Sequence, residues 1–210
     1  MERKHVSTAS IAIEASSADV WDALVNPATA KAYFFGAKVH SDCTTTSSFM
    51  AENLIHQLIP HQGCVISRTA DGIDISGSAM NWVMSAGVAP FVCRAPFAFH
   101  VVGRTDSTNL RMHWHRGELI FNWECSVREL RVHDPATAEQ HSLEDKGFIT
   151  TTDWHEIIWE IGLDRMRVIV DDEVRFEAAG DYSGIESAPS VGPCFGSTIS
   201  IRELSITSLA

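Results

Sequence analysis

No stretch of this 210-residue chain approaches the ~18 consecutive apolar residues that a membrane-spanning helix needs, and no part of it is low in complexity. Positive charge is scarce: 16 Lys and Arg stand against 27 Asp and Glu, a formal net charge of −11 at pH 7. Such a surface repels nucleic acid and anionic lipid, so neither nucleic acid nor membrane is expected as a partner. The five cysteines (Cys43, Cys64, Cys93, Cys125, Cys194) are odd in number and widely spaced, with no CxxC pair. That argues against a disulfide framework or a thiolate zinc site, and fits small buried residues in a reducing compartment. The opening, Met1 to Trp21, has basic residues but no continuous apolar stretch behind them, so it does not read as a secretory signal and a cytoplasmic location is expected. A G-x-S-x-G elbow is missing, and no Ser-His-Asp order stands out. What is present is 45% hydrophobic content, enough for a real core.

The chain reads as two unequal pieces. In the first 43 residues, "VSTASIAIEAS" alternates like a strand. Val20, Trp21, Leu24 and Val25 then lie at helical spacing, with Ser17 or Asp19 as cap and Pro27 as stop, and "FFGAKVHSDC" returns to strand character. The strand Ile11 to Glu14, the run Val20-Trp21-Asp22-Ala23-Leu24 with Pro27, and "YFFGAKVHSD" at Tyr33 to Asp42 resemble the opening of START-like helix-grip domains. The branch concerned is that of the heat-shock chaperone activators. Cys43 stands where that family usually has Trp, and the likeness ends there. A complete helix-grip domain needs roughly 100 further residues of sheet and helix, so the resemblance implies a truncated segment, an accessory rather than a ligand cavity. "CTTTSSFM", Cys43 to Met50, has a linker's composition, and residues 44–52 are expected to join the two pieces.

From residue 53 to 210 nearly all the text is short strands, separated by turn signals at Asp71-Gly72, Arg116-Gly117, Gly162, Asp171-Asp172 and Gly180. Many short strands without intervening helices predict a mainly β domain, an antiparallel sandwich or barrel. In "LRMHWHRGELIFNWE", Leu110 to Glu124, taking Arg116-Gly117 as a two-residue loop sets His115 opposite Glu118. Trp114 then meets Leu119, Met112 meets Phe121 and Leu110 meets Trp123. On the other face His113 meets Ile120, Arg111 meets Asn122 and Asn109 meets Glu124. A one-residue slip would put Trp and Leu against charges, so the register is well specified. One face is core and the polar face is the candidate working surface.

"DWHEIIWEIGLDRMRVIVDDEVRF", Asp153 to Phe176, carries Trp154-His155, Trp159 and Val170-Asp171 in the order seen in concanavalin A-like lectins and glucanases. There a W-H strand crosses the sheet and returns through a Val-Asp-Gly hairpin; Asp172 replaces that Gly. "STISIRELSI" is similar to the strand that closes such domains. The resemblance spans about Val65 to Leu209 and implies a concanavalin A-like jelly roll, a fold that hosts binding modules, hydrolases, lyases and structural domains.

The motif of the glucanase branch, E-x-D-x-x-E, is absent. Glu118 and Glu124, taken as one extended strand, stand about 20 Å apart, beyond the ~5–9.5 Å of glycosidase carboxylate pairs. The sequence therefore points to non-catalytic binding of a carbohydrate or small polar ligand. Arg111, His113, Asn109, Asn122 and Glu124 would supply the polar groups, and Trp154 the stacking ring, with Trp82 and Trp159 as alternatives. A glycoside-active enzyme is the second reading. An interaction module in which the N-terminal segment builds a homo-oligomer is the third. His113-x-His115 beside Glu118 has the look of a metal-ligand set, but a cross-strand His–Glu pair is stabilising without metal, and neither metal nor cofactor is expected.

Overall fold

The computed structural model describes residues 39–40, 50–51, 53–61, 63–77, 86–88 and 92–209. The expected strand at Ile11 to Glu14, the helix that follows it, most of the linker and Trp82 lie outside the described residues. The chain divides into two units, Met1–Phe49 and Met50–Ala210, and all that follows concerns the second, apart from the short strand β1 (Val39–His40).

In chain order the second unit holds β2 (Met50–Ala51), a 3-10 turn at Leu54–Gln57, β3 (Leu58–Pro60), β4 (Val65–Arg68), β5 (Ile73–Ser76) and β6 (Ala86–Val88). There follow β7 (Cys93–Arg94), β8 (Phe97–Thr105), β9 (Leu110–Trp114), β10 (Gly117–Phe121), β11 (Leu130–His133) and β12 (Gln140–Leu143). The last six are β13 (His155–Ile161), β14 (Arg165–Val170), β15 (Glu173–Ala179), β16 (Glu186–Ser187), β17 (Ser190–Gly192) and β18 (Thr198–Ser208).

Two seven-stranded sheets carry the fold, one in the order β12-β11-β10-β9-β17-β6-β3 and the other β15-β14-β13-β8-β18-β5-β4. Their facing sides form one core. Met112, Trp114, Leu119 and Phe121 point into it from the first sheet, and Phe99, Ile157, Trp159, Val168, Ile199 and Ile201 from the second, all of them fully buried. A buried side chain of this size contributes roughly 1.5–3 kcal/mol relative to exposure, which is why the alternating apolar positions dictate which way each strand faces. The sheets meet at Phe97 of β8 and Trp114 of β9, edge to face with ring centroids 5.1 Å apart.

The hairpin keeps its expected faces but not its expected loop. His115 and Arg116 form the turn, so Trp114 pairs with Gly117, His113 with Glu118, Met112 with Leu119, Arg111 with Ile120 and Leu110 with Phe121. Each partner lies two residues from the one the sequence predicts, a shift that preserves the alternation. The cause is Gly117. A Cβ there would come within 2.6 Å of Pro135 and 3.0 Å of the Trp159 ring, so the glycine serves close packing in the strand while His115 (φ 56°) takes the left-handed turn position. The Val170-Asp171 hairpin forms where the sequence places it. Asp171 (φ 50°) and Asp172 (φ 65°) occupy its two loop positions, both left-handed as a tight hairpin requires. Asp171 also anchors the W-H strand, accepting from Glu156 N at 2.9 Å and lying 2.7 Å from His155 Nδ1.

Two elements depart from the sequence reading. "SGIESAPSVGPCFGS", with no strand period, reads as a connection, yet Ser190–Gly192 inserts as β17 between β9 and β6. And β10 stops at Phe121, where the sequence continues the strand through Glu124. Asn122 adopts φ 49°, and the chain leaves the sheet.

Candidate functional site

The outward face of the first sheet carries a polar row at a single register. Gln140 pairs with His133, His133 with Glu118, Glu118 with His113, His113 with Ser190, and Ser190 with Gly87. At ~4.8 Å per strand the row spans about 24 Å across six strands. Its Gly87 end is overhung by His61, whose Nε2 lies 2.2 Å from where a Cβ on residue 87 would stand. In the neighbouring row Arg111, Ile120, Arg131 and Ser142 share the same face.

Arg111 organises this surface from beneath, its residue exposure being only 6%. Its Nη1 donates to Glu118 Oε1 at 3.0 Å, and its Nη2 to Glu124 Oε2 at 3.4 Å. Nε and Nη2 both donate to Asn109 Oδ1, at 3.1 and 2.8 Å. His113 Nε2 also lies 3.0 Å from Glu118 Oε1, a close polar approach outside good hydrogen-bond geometry. Burial by itself would raise the Glu118 carboxyl, but His113 and Arg111 outweigh it and hold the group below the ordinary glutamate value of 4.5. Burial depresses His133, and Glu118 beside it only partly restores its proton affinity.

A glutamate whose affinity for protons is lower folded than unfolded stabilises the fold above its unfolded value. That stability is lost as pH falls through the folded one. The urea midpoint is therefore expected to drop as pH is lowered from about 4.5, with Glu118→Gln showing a flatter profile over the same range. A parallel fall in the variant would sink this assignment.

The structure brings together four of the six predicted residues: Arg111, His113, Asn109 and Glu124. Asn109, with no side-chain exposure to speak of, holds Arg111 rather than facing solvent. Asn122 is drawn away into a structural knot. Its Oδ1 accepts from Ile149 N at 2.8 Å and its Nδ2 donates to Ile149 O at 2.9 Å, so it pins the 147–149 segment instead of presenting an amide to ligand. Trp154 lies on the other sheet, beside Arg104 and Arg202, and does not join the site. Trp159 is core.

The aromatic at the hairpin face is Trp123, which the sequence places on the apolar side. The left-handed turn at Asn122 breaks the alternation and puts the Trp123 ring 3.6 Å from the Arg131 guanidinium. The same turn brings Glu124 back to Arg111, correcting the expected separation from Glu118. Two carboxylates that both touch one guanidinium cannot stand farther apart than the ~9.5 Å upper limit of glycosidase pairs. His133 was legible at best as a polar strand position, and Gln140 and Ser190 not as strand positions at all; which strands lie beside β9 and β10 is what makes them neighbours. His115 sits exposed in the turn, and among the described residues no group of three or more His, Cys, Asp or Glu is arranged to hold a metal ion.

No family model and no curated protein sequence matches the chain. Solved structures do. A protein from Bacillus subtilis described as having a galectin-like fold superimposes with a TM-score of 0.60 at 8% identity, over 82% of this chain and 98% of the other. A beta-glucanase of Bacillus licheniformis gives 0.59 at 8% identity, over 76% and 98%. A carbohydrate binding module of Bacillus subtilis gives 0.54 at 11% identity, over 72% and 96%. The domain thus has the concanavalin A-like jelly-roll fold that its W-H and Val-Asp strands resemble. At these identities the likeness is one of fold.

Proposed function

We propose that the second unit is a non-catalytic binding domain for a carbohydrate or other small, neutral polar ligand, seated on the outward face of the first sheet. The observation that carries this reading is the unbroken polar row from Gln140 to Ser190, floored by Arg111 and bounded by His61. Carboxylates and imidazoles held at fixed spacing can accept from and donate to vicinal hydroxyls without reorganising, which limits the entropic cost of binding. Glu118, Glu124 and His113 would face the ligand, while Arg111 and Asn109 position them. Each arginine of this face already meets carboxylates, Arg111 with Glu118 and Glu124, and Arg131 with Glu129 at 3.2 Å. Among the described residues neither of these arginines is left over for an acidic ligand, so the reading is of a neutral one. Three structural neighbours of the same fold are named as a carbohydrate binding module, a glucanase and a galectin-like protein, which supports a saccharide among neutral ligands.

The closeness of Glu118 and Glu124 favours a glycoside-active enzyme as the second reading. Electrostatics weighs against it. A glycosidase needs one carboxyl that keeps its proton near neutral pH, whereas His113 and Arg111 hold Glu118 below the ordinary glutamate value. A screen of immobilised neutral glycans tests the proposal, run with the wild type and His113→Ala/Glu124→Gln, both first shown folded by circular dichroism. Binding by the wild type and its loss in the double variant is the expected result. A folded wild type that retains no glycan overturns it.

A further inference from the structure

The outward face of the second sheet holds a different kind of site. Arg104 of β8 and Arg202 of β18 lie with their guanidinium carbons 4.7 and 5.2 Å from the centroid of the Trp154 ring, which directly precedes β13. Three adjacent strands build this cluster. β13 pairs with β8 so that His155 faces Gly103, which sets Trp154 beside Arg104. β18 pairs with β8 on its other side, and between Ile201 and Glu203 the register shifts. A bulge of this kind re-aims the extra residue, here Arg202, toward the indole. Gly72 backs the bulge closely: a Cβ there would stand 2.2 Å from Ile201 O and 2.8 Å from Arg202 Cα, at a φ of 150°.

The positive charges here are less closely matched than those of the first sheet. Arg104 makes one hydrogen bond, from Nη1 to Thr152 O at 3.3 Å, and meets no carboxylate among the described residues. The nearest carboxylate to Arg202 is that of its chain neighbour Glu203, at 3.9 Å, with both side chains about half exposed. Asp153, close in sequence, is engaged by Thr150 Oγ1 at 2.7 Å. Two guanidinium groups at one aromatic ring repel each other, and the cost is tolerated only in part through cation–π attraction. In a chain of net charge −11, surplus carboxylates are plentiful, yet none is placed firmly on either arginine. Stacking on an indole leaves the in-plane N–H groups of a guanidinium free, and that planar fork matches an oxyanion.

We propose that Arg104, Trp154 and Arg202 form a binding site for the oxyanion group of a small acidic ligand, distinct from the neutral-ligand face of the first sheet. The occupant carries one isolated acid group rather than a run of them. A net charge of −11 repels a polyanion over its whole length, whereas a single anion within a Debye length of about 8 Å feels mainly the two arginines. Trp154 positions the forks and reports on occupancy.

The test is an NMR titration of the full ¹⁵N-labelled chain, following the indole N–H of Trp154, one of six tryptophans, assigned by its disappearance in Trp154→Phe. The probes are glucuronate, glucose, acetate and sulfate. Glucuronate is expected to shift the Trp154 signal at concentrations where glucose does not, with an apparent affinity at least about tenfold higher, and the effect should fade at about 0.5 M salt. Arg104→Gln/Arg202→Gln should abolish the response, and His113→Ala/Glu124→Gln should leave it intact, which separates this site from the proposed glycan face. Glucuronate binding more tightly than acetate and sulfate assigns the site to an acidic sugar; equal responses assign it to the oxyanion alone. Equal shifts with glucose and glucuronate, or a response that survives in the folded double arginine variant, overturn the proposal.

Discussion

Replacing Arg111 by alanine is expected to destabilise the second unit by about 3–5 kcal/mol, the range for removing one partner of a buried ion pair. The reason lies in what is left behind. Glu118 is 9% exposed and among the described residues would keep only His113 close to its carboxylate, and Asn109 Oδ1 would lose both of its donors. An unpaired acceptor or charge inside the fold costs more than the bond it replaces contributes. Arg111→Met with Glu118→Gln, which removes both charges while keeping bulk, is expected to recover a large part of the loss, because the desolvation of two ions is relieved together. Urea unfolding of the wild type, both single variants and the double variant gives the coupling directly. If Arg111→Ala unfolds at the wild-type midpoint, the buried network has no role in stability.

The second large effect is expected at Asn122. Asn122→Ala loses both bonds to Ile149, leaving a buried N–H unsatisfied, and places a Cβ-bearing residue without a compensating side-chain bond at φ 49°. Together these amount to about 2–5 kcal/mol. Asn122→Gly removes the conformational part alone and should fall between alanine and wild type. Under the proposed binding role the consequence extends to the ligand face, because the left-handed turn at Asn122 aims Trp123 and Glu124. Loss of the turn is expected to weaken glycan binding even under conditions where the variant remains folded. Thermal unfolding and the glycan screen on the same samples would show it; glycine and alanine variants of equal stability would refute the assigned role of the turn.

Asn122 and Arg111 mark where the sequence stops being sufficient. The alternation from Leu110 to Phe121 determined by itself that Met112, Trp114 and Leu119 are core and that Arg111, His113 and Glu118 share the opposite face, since a strand's side-chain period is two whatever its neighbours. The resemblance carried by Trp154-His155, Trp159 and Val170-Asp171, with Asp171-Asp172 as a turn signal, likewise made the β13 to β15 segment and the jelly-roll fold legible. The loop at His115-Arg116 was not, because Gly117 answers to Pro135 and Trp159, residues 18 and 42 positions away in the sequence.

Only the tertiary structure decided the rest. It inserted β17 beside β9, buried Arg111 instead of offering it to ligand, turned Asn122 inward and set Trp154 on the opposite sheet, beside two arginines. Local pattern fixes the face of a residue through the pleat of its own strand. Its neighbours across the ladder come from pairings between segments as distant as β5 and β18, and those are selected by burial of the whole core rather than by any local rule.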